Sequence, residues 1–190
     1  MEKEEKDLQA LAEKVYDIAK AHGWHEKKMS SEHWLCLVMT EVAEAVEADR
    51  KSKRAQMKMF EANINTPQPE MRKMEHWKFC FETFVKNSVE DEFADIVIRL
   101  LDMANELYGE KMRWRGYNQS GEGLAADKTF PETAWYFVHE VLGSGMMNIT
   151  DSIHFMYEWA GFLCIDLDRH IELKTRYNEM RSYKHGGKKY

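Results

Sequence analysis

What the chain lacks narrows it first. Proline occurs three times and glycine ten times in 190 residues, too little punctuation for a turn-rich β-sandwich or a loop scaffold. Cysteine is scarce as well. Cys36, Cys80 and Cys164 are odd in number and lack CxxC spacing, which excludes a disulfide framework or a zinc knuckle. All three sit in apolar surroundings and read as reduced, buried thiols of a cytoplasmic protein. No apolar run approaches the ~20 residues that cross a bilayer. The opening MEKEEKDLQALAEK is charged where a signal peptide would be apolar. A basic excess is missing too: the net charge is −6. That argues against a nucleic-acid binder, but a small polyphosphate needs only a metal and local positive charge.

What is present points to helices. Apolar residues make up 44% and aromatics 12%, which excludes disorder by composition, and the length suits one domain over 1–190. Glu, Lys, Ala, Leu and Met dominate, no strand-period segment of useful length occurs, and no repeat is evident. The expectation is an all-α helical bundle.

The first helix is read from Glu4 to His22, with Leu8, Leu11, Ala12, Val15, Ile18 and Ala19 on one face and Gly23 as a left-handed cap. A second starts after Ser30-Ser31 with the stripe Leu35, Val38, Met39, Val42, Ala45 and Val46. Residues 51–87 read as a basic exit and a charged helical stretch, the turn Asn65–Pro69, and a helix from Glu70 to Lys86 carrying Met74, Trp77, Phe81 and Phe84. Ser88 and Asp91 resemble a capping box that opens the strongest helix, with Phe93, Ile96, Val97, Leu100, Leu101 and Ala104 as its core face. Residues 109–130, polar and glycine-bearing between Arg113 and Lys128, read as a long loop, mobile or a lid. Pro131 and Glu132 start a further helix that Gly143 and Gly145 end. A long last helix is read from Thr150 to Tyr183, and the basic tail 184–190 as flexible.

Two carboxylate pairs stand out. Glu41 and Glu44, three apart, project from one helix face; Glu92 and Asp95 repeat the spacing, and Asp102 returns to the same face. If the two faces oppose each other, the carboxylates converge and repel unless a divalent cation binds; their hard oxygens favour Mg²⁺ or Mn²⁺ over zinc. The same spacing, with Arg99 between, is also that of a solvated helix face. On the last helix the stripe Ile153, Met156, Ala160, Leu163, Leu167 and Ile171 continues into Lys174, Asn178 and Arg181. It turns polar without changing face, as a phosphate site or a helix end in solvent would.

TEVAEAVEADR (from Thr40) and EDEFADIVIRLLDMA (from Glu90) resemble the paired ExxE and ExxD motifs of the MazG-like all-α NTP pyrophosphohydrolases, the superfamily that also holds the dimeric dUTPases and the dCTPases. HIELKTRYNEMRSYKHGGKKY (from His170) is similar to their late Lys-x-x-x-Asn signature. The resemblance implies a helical bundle of the all-α NTP pyrophosphatase type, with 51–87 as an inserted hairpin and a long C-terminal helix. The stretch Pro131–Gly143 lies outside the minimal family core. It further implies that Glu41, Glu44, Glu92 and Asp95 bind Mg²⁺, with Glu41 or Glu44 as general base. Lys174 and Arg181 would meet phosphate, Asn178 sugar or base, Trp24 would stack on the base, and Asp102 would join the substrate site. The expected activity is Mg²⁺-dependent hydrolysis of an NTP or dNTP to monophosphate and pyrophosphate by a cytoplasmic homodimer or dimer of dimers, with no nucleic-acid or membrane partner. Two alternatives stand beside it. One is a non-enzymatic helical adaptor. The other, a di-iron bundle, needs two Glu-x-x-His motifs, and only Asp151-x-x-His154 comes close.

Overall fold

In the computed structural model, residues 2–3, 5–114, 117–118 and 127–187 are described. Helices dominate: α1 (Glu5–Ala21), α2 (Ser31–Arg50), α3 (Met57–Ile64), α4 (Lys73–Phe84), α5 (Val89–Tyr108), α6 (Phe130–Tyr136), α7 (Met146–Phe162), α8 (Leu167–Glu179) and the short turn α9 (Lys184–Gly187). Two-residue strands β1 (Glu2–Lys3) and β2 (Tyr117–Asn118) pair antiparallel. The architecture is the expected all-α bundle. Within the 109–130 stretch, residues 115–116 and 119–126 lie outside the described residues, as does the tail from 188; Lys184–Gly187 form α9, with Lys184 paired to Glu26.

α5 is the centre. Its residues Phe93, Ile96, Val97, Leu100, Leu101 and Ala104 are all fully buried, and α1, α2, α7 and α8 pack around it. Fourteen of its residues are buried, including Glu90, Asp91, Glu92 and Asp102, so its acidic side is not a solvent face. The hairpin α3–α4 has a core of its own. Phe60, Trp77, Cys80, Phe81 and Val85 close against Leu173 and Tyr177 of α8, with Phe81 and Tyr177 stacked at 4.6 Å.

Local chemistry fixes the helix ends. Ser30 caps α2 by accepting the His33 N–H, and Thr129 with Glu132 forms a reciprocal capping box at α6. After α1, the Gly23 N–H reaches the Lys20 carbonyl and the Trp24 N–H the Ala19 carbonyl, a Schellman closure with Gly23 at φ +81°. A Cβ there would lie 2.5 Å from the Tyr183 ring.

Several expectations are corrected. The last helix is broken: α7 ends at Phe162 and α8 begins at Leu167, with Cys164 at φ +57° between them. Asp166 caps the new helix by accepting the Arg169 N–H. Cys80 is buried, but Cys36 and Cys164 are exposed. Met39 and Met74 are exposed rather than core; Trp34, a turn before Val38, is buried on the core side of α2.

Candidate metal centre and binding cavity

α2 and α5 pack along their lengths, which brings their acidic faces together. One carboxylate oxygen each from Glu41, Glu44 and Glu92 lie within 4.8 Å of one another. Glu41 and Glu92 are buried and Glu44 is exposed. Three hard oxygen donors at this separation could chelate a divalent cation. The metal-free electrostatics agree. Burial, then the charge of Asp95, pushes the Glu41 carboxyl from 4.5 up to about 7. Burial, with Asp95 and Asp91 beside it, pushes Glu92 up to about 9. Each carboxylate resists a charge that a cation would compensate.

Asp95 stands outside this trio. Its carboxylate meets the Lys174 ammonium at 2.5 Å. Lys174 also donates to both Asp91 oxygens, at 3.0 and 2.9 Å. Burial opposes the lysine's charge, but Asp95 and Asp91 outweigh it and hold the ammonium above the usual lysine range. Asp91 is therefore more than a helix cap. Ser88 accepts the Asp91 N–H at 3.2 Å, whereas the Asp91 carboxylate takes the Asn87 N–H at 2.8 Å. The capping box is thus not reciprocal, and the freed carboxylate serves Lys174. Arg99 donates to Glu41 at 3.2 Å.

Farther along α5, His25 Nε2 meets Asp102 Oδ1 at 2.8 Å and His25 Nδ1 meets Glu106 at 3.2 Å. Burial lowers the imidazole, but the hydrogen bond and charge of Asp102, with Glu106 behind, raise it above its ordinary value overall. Burial raises Asp102, and His25 opposes it. Trp34 stacks on the imidazole at 5.7 Å.

The three glutamates, Asp95, Arg99, Asp102 and Lys174 line a cavity of about 220 Å³. It gathers Trp24, Glu41, Glu44, Glu92, Asp95, Asp102, Lys174, Asn178 and Arg181, every residue singled out for the site from sequence. Val15, Ile18, Ala19 and Ile98 add an apolar wall. Arg181 lies just past the end of α8, where burial lowers its guanidinium. It has no carboxylate partner among the described residues. Two further atoms are orphaned there: Thr175 Oγ1 and Asn178 Oδ1 are buried without a hydrogen-bond partner among the described residues. Native interiors satisfy nearly all such atoms, so a cavity-lining pair without partners is what a polar ligand would complete.

No residue pattern pointed to His25, Thr175 or Lys86. His25 belongs to no ligand motif, and only the Schellman turn after α1 carries it to α5. Lys86 donates to the Tyr177 hydroxyl at 3.1 Å, a contact between the hairpin's exit and α8.

Comparison of the chain with family models, curated proteins and solved structures gives no match, so the site's own geometry has to carry its function. An all-α bundle here holds an acidic cluster able to chelate a divalent cation beside a cavity of mixed charge. No helix among the described residues is long and apolar enough to cross a membrane.

Proposed function

We propose that this protein is a Mg²⁺-dependent nucleoside triphosphate pyrophosphohydrolase, which cleaves an NTP or dNTP to the monophosphate and pyrophosphate. The observation that carries the reading is the convergence of Glu41, Glu44 and Glu92 within 4.8 Å on a cavity that Lys174, Asn178, Arg181 and Trp24 also line. The acidic motifs' resemblance to the MazG-like enzymes supports it.

Glu41, Glu44, Glu92 and Asp95 would hold Mg²⁺, which supplies neutralisation of the triphosphate and polarisation of the bridging oxygen. The chain's own groups do the rest. Glu41 or Glu44 accepts the proton of the attacking water. The water oxygen bonds to phosphorus as the bridge between the α and β phosphates breaks, and pyrophosphate leaves. Arg181 meets phosphate oxygens, Lys174 sets the Asp95 carboxylate, Asn178 bonds sugar or base, and Trp24 offers a stacking face. At about 220 Å³ the cavity is smaller than the ~300–1,000 Å³ usual for ligand pockets. A second subunit of a homodimer would supply the remaining wall.

The test is product analysis with purified protein, a panel of NTPs and dNTPs, and Mg²⁺ or chelator. Monophosphate and pyrophosphate should appear with Mg²⁺ and vanish with chelator. Diphosphate and orthophosphate would place the chemistry at the wrong phosphate and overturn the assignment.

A further inference from the structure

We infer that Asp102 selects the base, so that the substrate is a nucleotide whose base carries an exocyclic amino group in place of a ring carbonyl. This deepens the nucleotide reading above and rests on it. Asp102 lies seven residues past Asp95, about 10 Å along α5 at 1.5 Å per residue. That is the order of the span from the α phosphate of a nucleotide to the far edge of its base. Val15, Ile18 and Ile98 line the same cavity, with His22 and Arg99 among its polar residues, and offer apolar contact to the faces of a base.

The carboxylate is buried, yet only half used. His25 holds Oδ1 at 2.8 Å, and Oδ2 has no hydrogen bond among the described residues. Glu106 fixes the far side of the imidazole, so His25 cannot turn away and the carboxylate cannot rotate freely. What reaches the cavity is one rigid acceptor: the Arg99 charge acts on it, but no donor among the described residues is hydrogen-bonded to that oxygen. Cytosine or adenine would offer an amino N–H to such a group. Uracil, thymine and hypoxanthine would set a carbonyl oxygen against it, and the imide N–H of uracil or thymine lies between two carbonyls that a carboxylate repels. A site built to bond a particular N–H rejects the analogue that lacks it far more strongly than an apolar pocket rejects a shape.

The experiment compares kcat/KM for CTP against UTP and for ATP against ITP, with wild type and Asp102→Asn. In the pair turned over faster, wild type should favour the amino member by at least about tenfold. In Asp102→Asn the His25 N–H claims the amide oxygen, leaving an N–H₂ donor toward the base. The ratio should therefore fall at least about tenfold and move toward the oxo member. A merely structural role would lower both members equally. The shift in melting temperature on adding Mg²⁺ should persist in Asp102→Asn, because Asp102 is outside the carboxylate trio. Should the variant fail to fold, the wild-type ratios still decide. Hydrolysis with equal or reversed ratios overturns this inference and leaves the pyrophosphohydrolase reading standing. No hydrolysis of any nucleotide overturns both.

Discussion

Removing the Lys174 ammonium would strand Asp91, a fully buried carboxylate whose ion-pair partner among the described residues is that lysine. Breaking a buried pair from one side costs about 3–5 kcal/mol, so Lys174→Met should lose that much in urea unfolding. Adding Asp91→Asn should recover a large part, because the fully buried charge is then gone and Asp95, the lysine's other partner, is only partly buried. Equal losses in single and double variants would show that the pair is not coupled. The same contact changes how Lys174 kinetics should be read. A fall in activity for every nucleotide could come from Asp95 losing its anchor rather than from a lost phosphate contact. Glu44 gives a cleaner variant, since its side chain is exposed and within 4.8 Å of Glu41 and Glu92. Glu44→Gln should leave metal-free stability at or slightly above wild type while activity falls at least about a hundredfold. The Mg²⁺-induced rise in melting temperature should largely disappear with it. Equal rises in both proteins would remove Glu44 from the metal site.

Between elements, the hairpin α3–α4 supports the cavity without lining most of it. α8 turns Leu173 and Tyr177 to the hairpin and Lys174 and Asn178 to the cavity, so loosening one face displaces the other. Phe81→Ala, at a fully buried ring stacked on Tyr177, should cost about 3–5 kcal/mol. It should also raise KM, although Phe81 is not itself among the residues that line the cavity. Unchanged KM in a destabilised variant would make the hairpin a stability element only. Elements of this kind were largely legible in the residue pattern. Period-3.6 stripes marked α1, α2, α4 and α5, and Ser30, Ser88 and Gly23 marked their ends. The α7–α8 break was not, because the chain there is Leu-Cys-Ile-Asp, with no glycine or proline. The left-handed turn falls on Cys164 (φ +57°), a residue type with no preference for it, and the restart rests on a lone Asp166 cap. The acidic pairs were visible by spacing. Their environment was not: Asp91 read as a cap, and His25 becomes a partner of Asp102 only through the tertiary fold.

At the scale of the whole molecule, the site sets stability against pH. Glu41 titrates at about 7 and Glu92 at about 9 in the folded, metal-free protein, against an ordinary 4.5. Between the unfolded and folded values the native state holds protons that the unfolded chain has released. Stability must therefore fall as pH rises from about 4.5 through about 9, with Glu41 acting up to about 7 and Glu92 beyond. His25, raised by Asp102 and Glu106, has the same sign: its contribution is present at low pH and lost as pH passes its folded value. His170, which burial holds below 6.5, acts oppositely, but only below that pH. A bound divalent cation takes the place of the protons on Glu41 and Glu92, so it should restore what alkaline pH removes. The gain from Mg²⁺ follows RT ln(1 + [Mg²⁺]/Kd), on the order of 1 kcal/mol at several times Kd. It should grow with pH, because fewer protons compete for the carboxylates. The measurement is a set of melting curves between about pH 6 and about pH 9, with chelator and with Mg²⁺. The chelated protein should lose melting temperature steadily across that range, and the gap between the two curves should widen. A gap that is constant with pH, or absent, would mean that these carboxylates do not exchange protons for a metal.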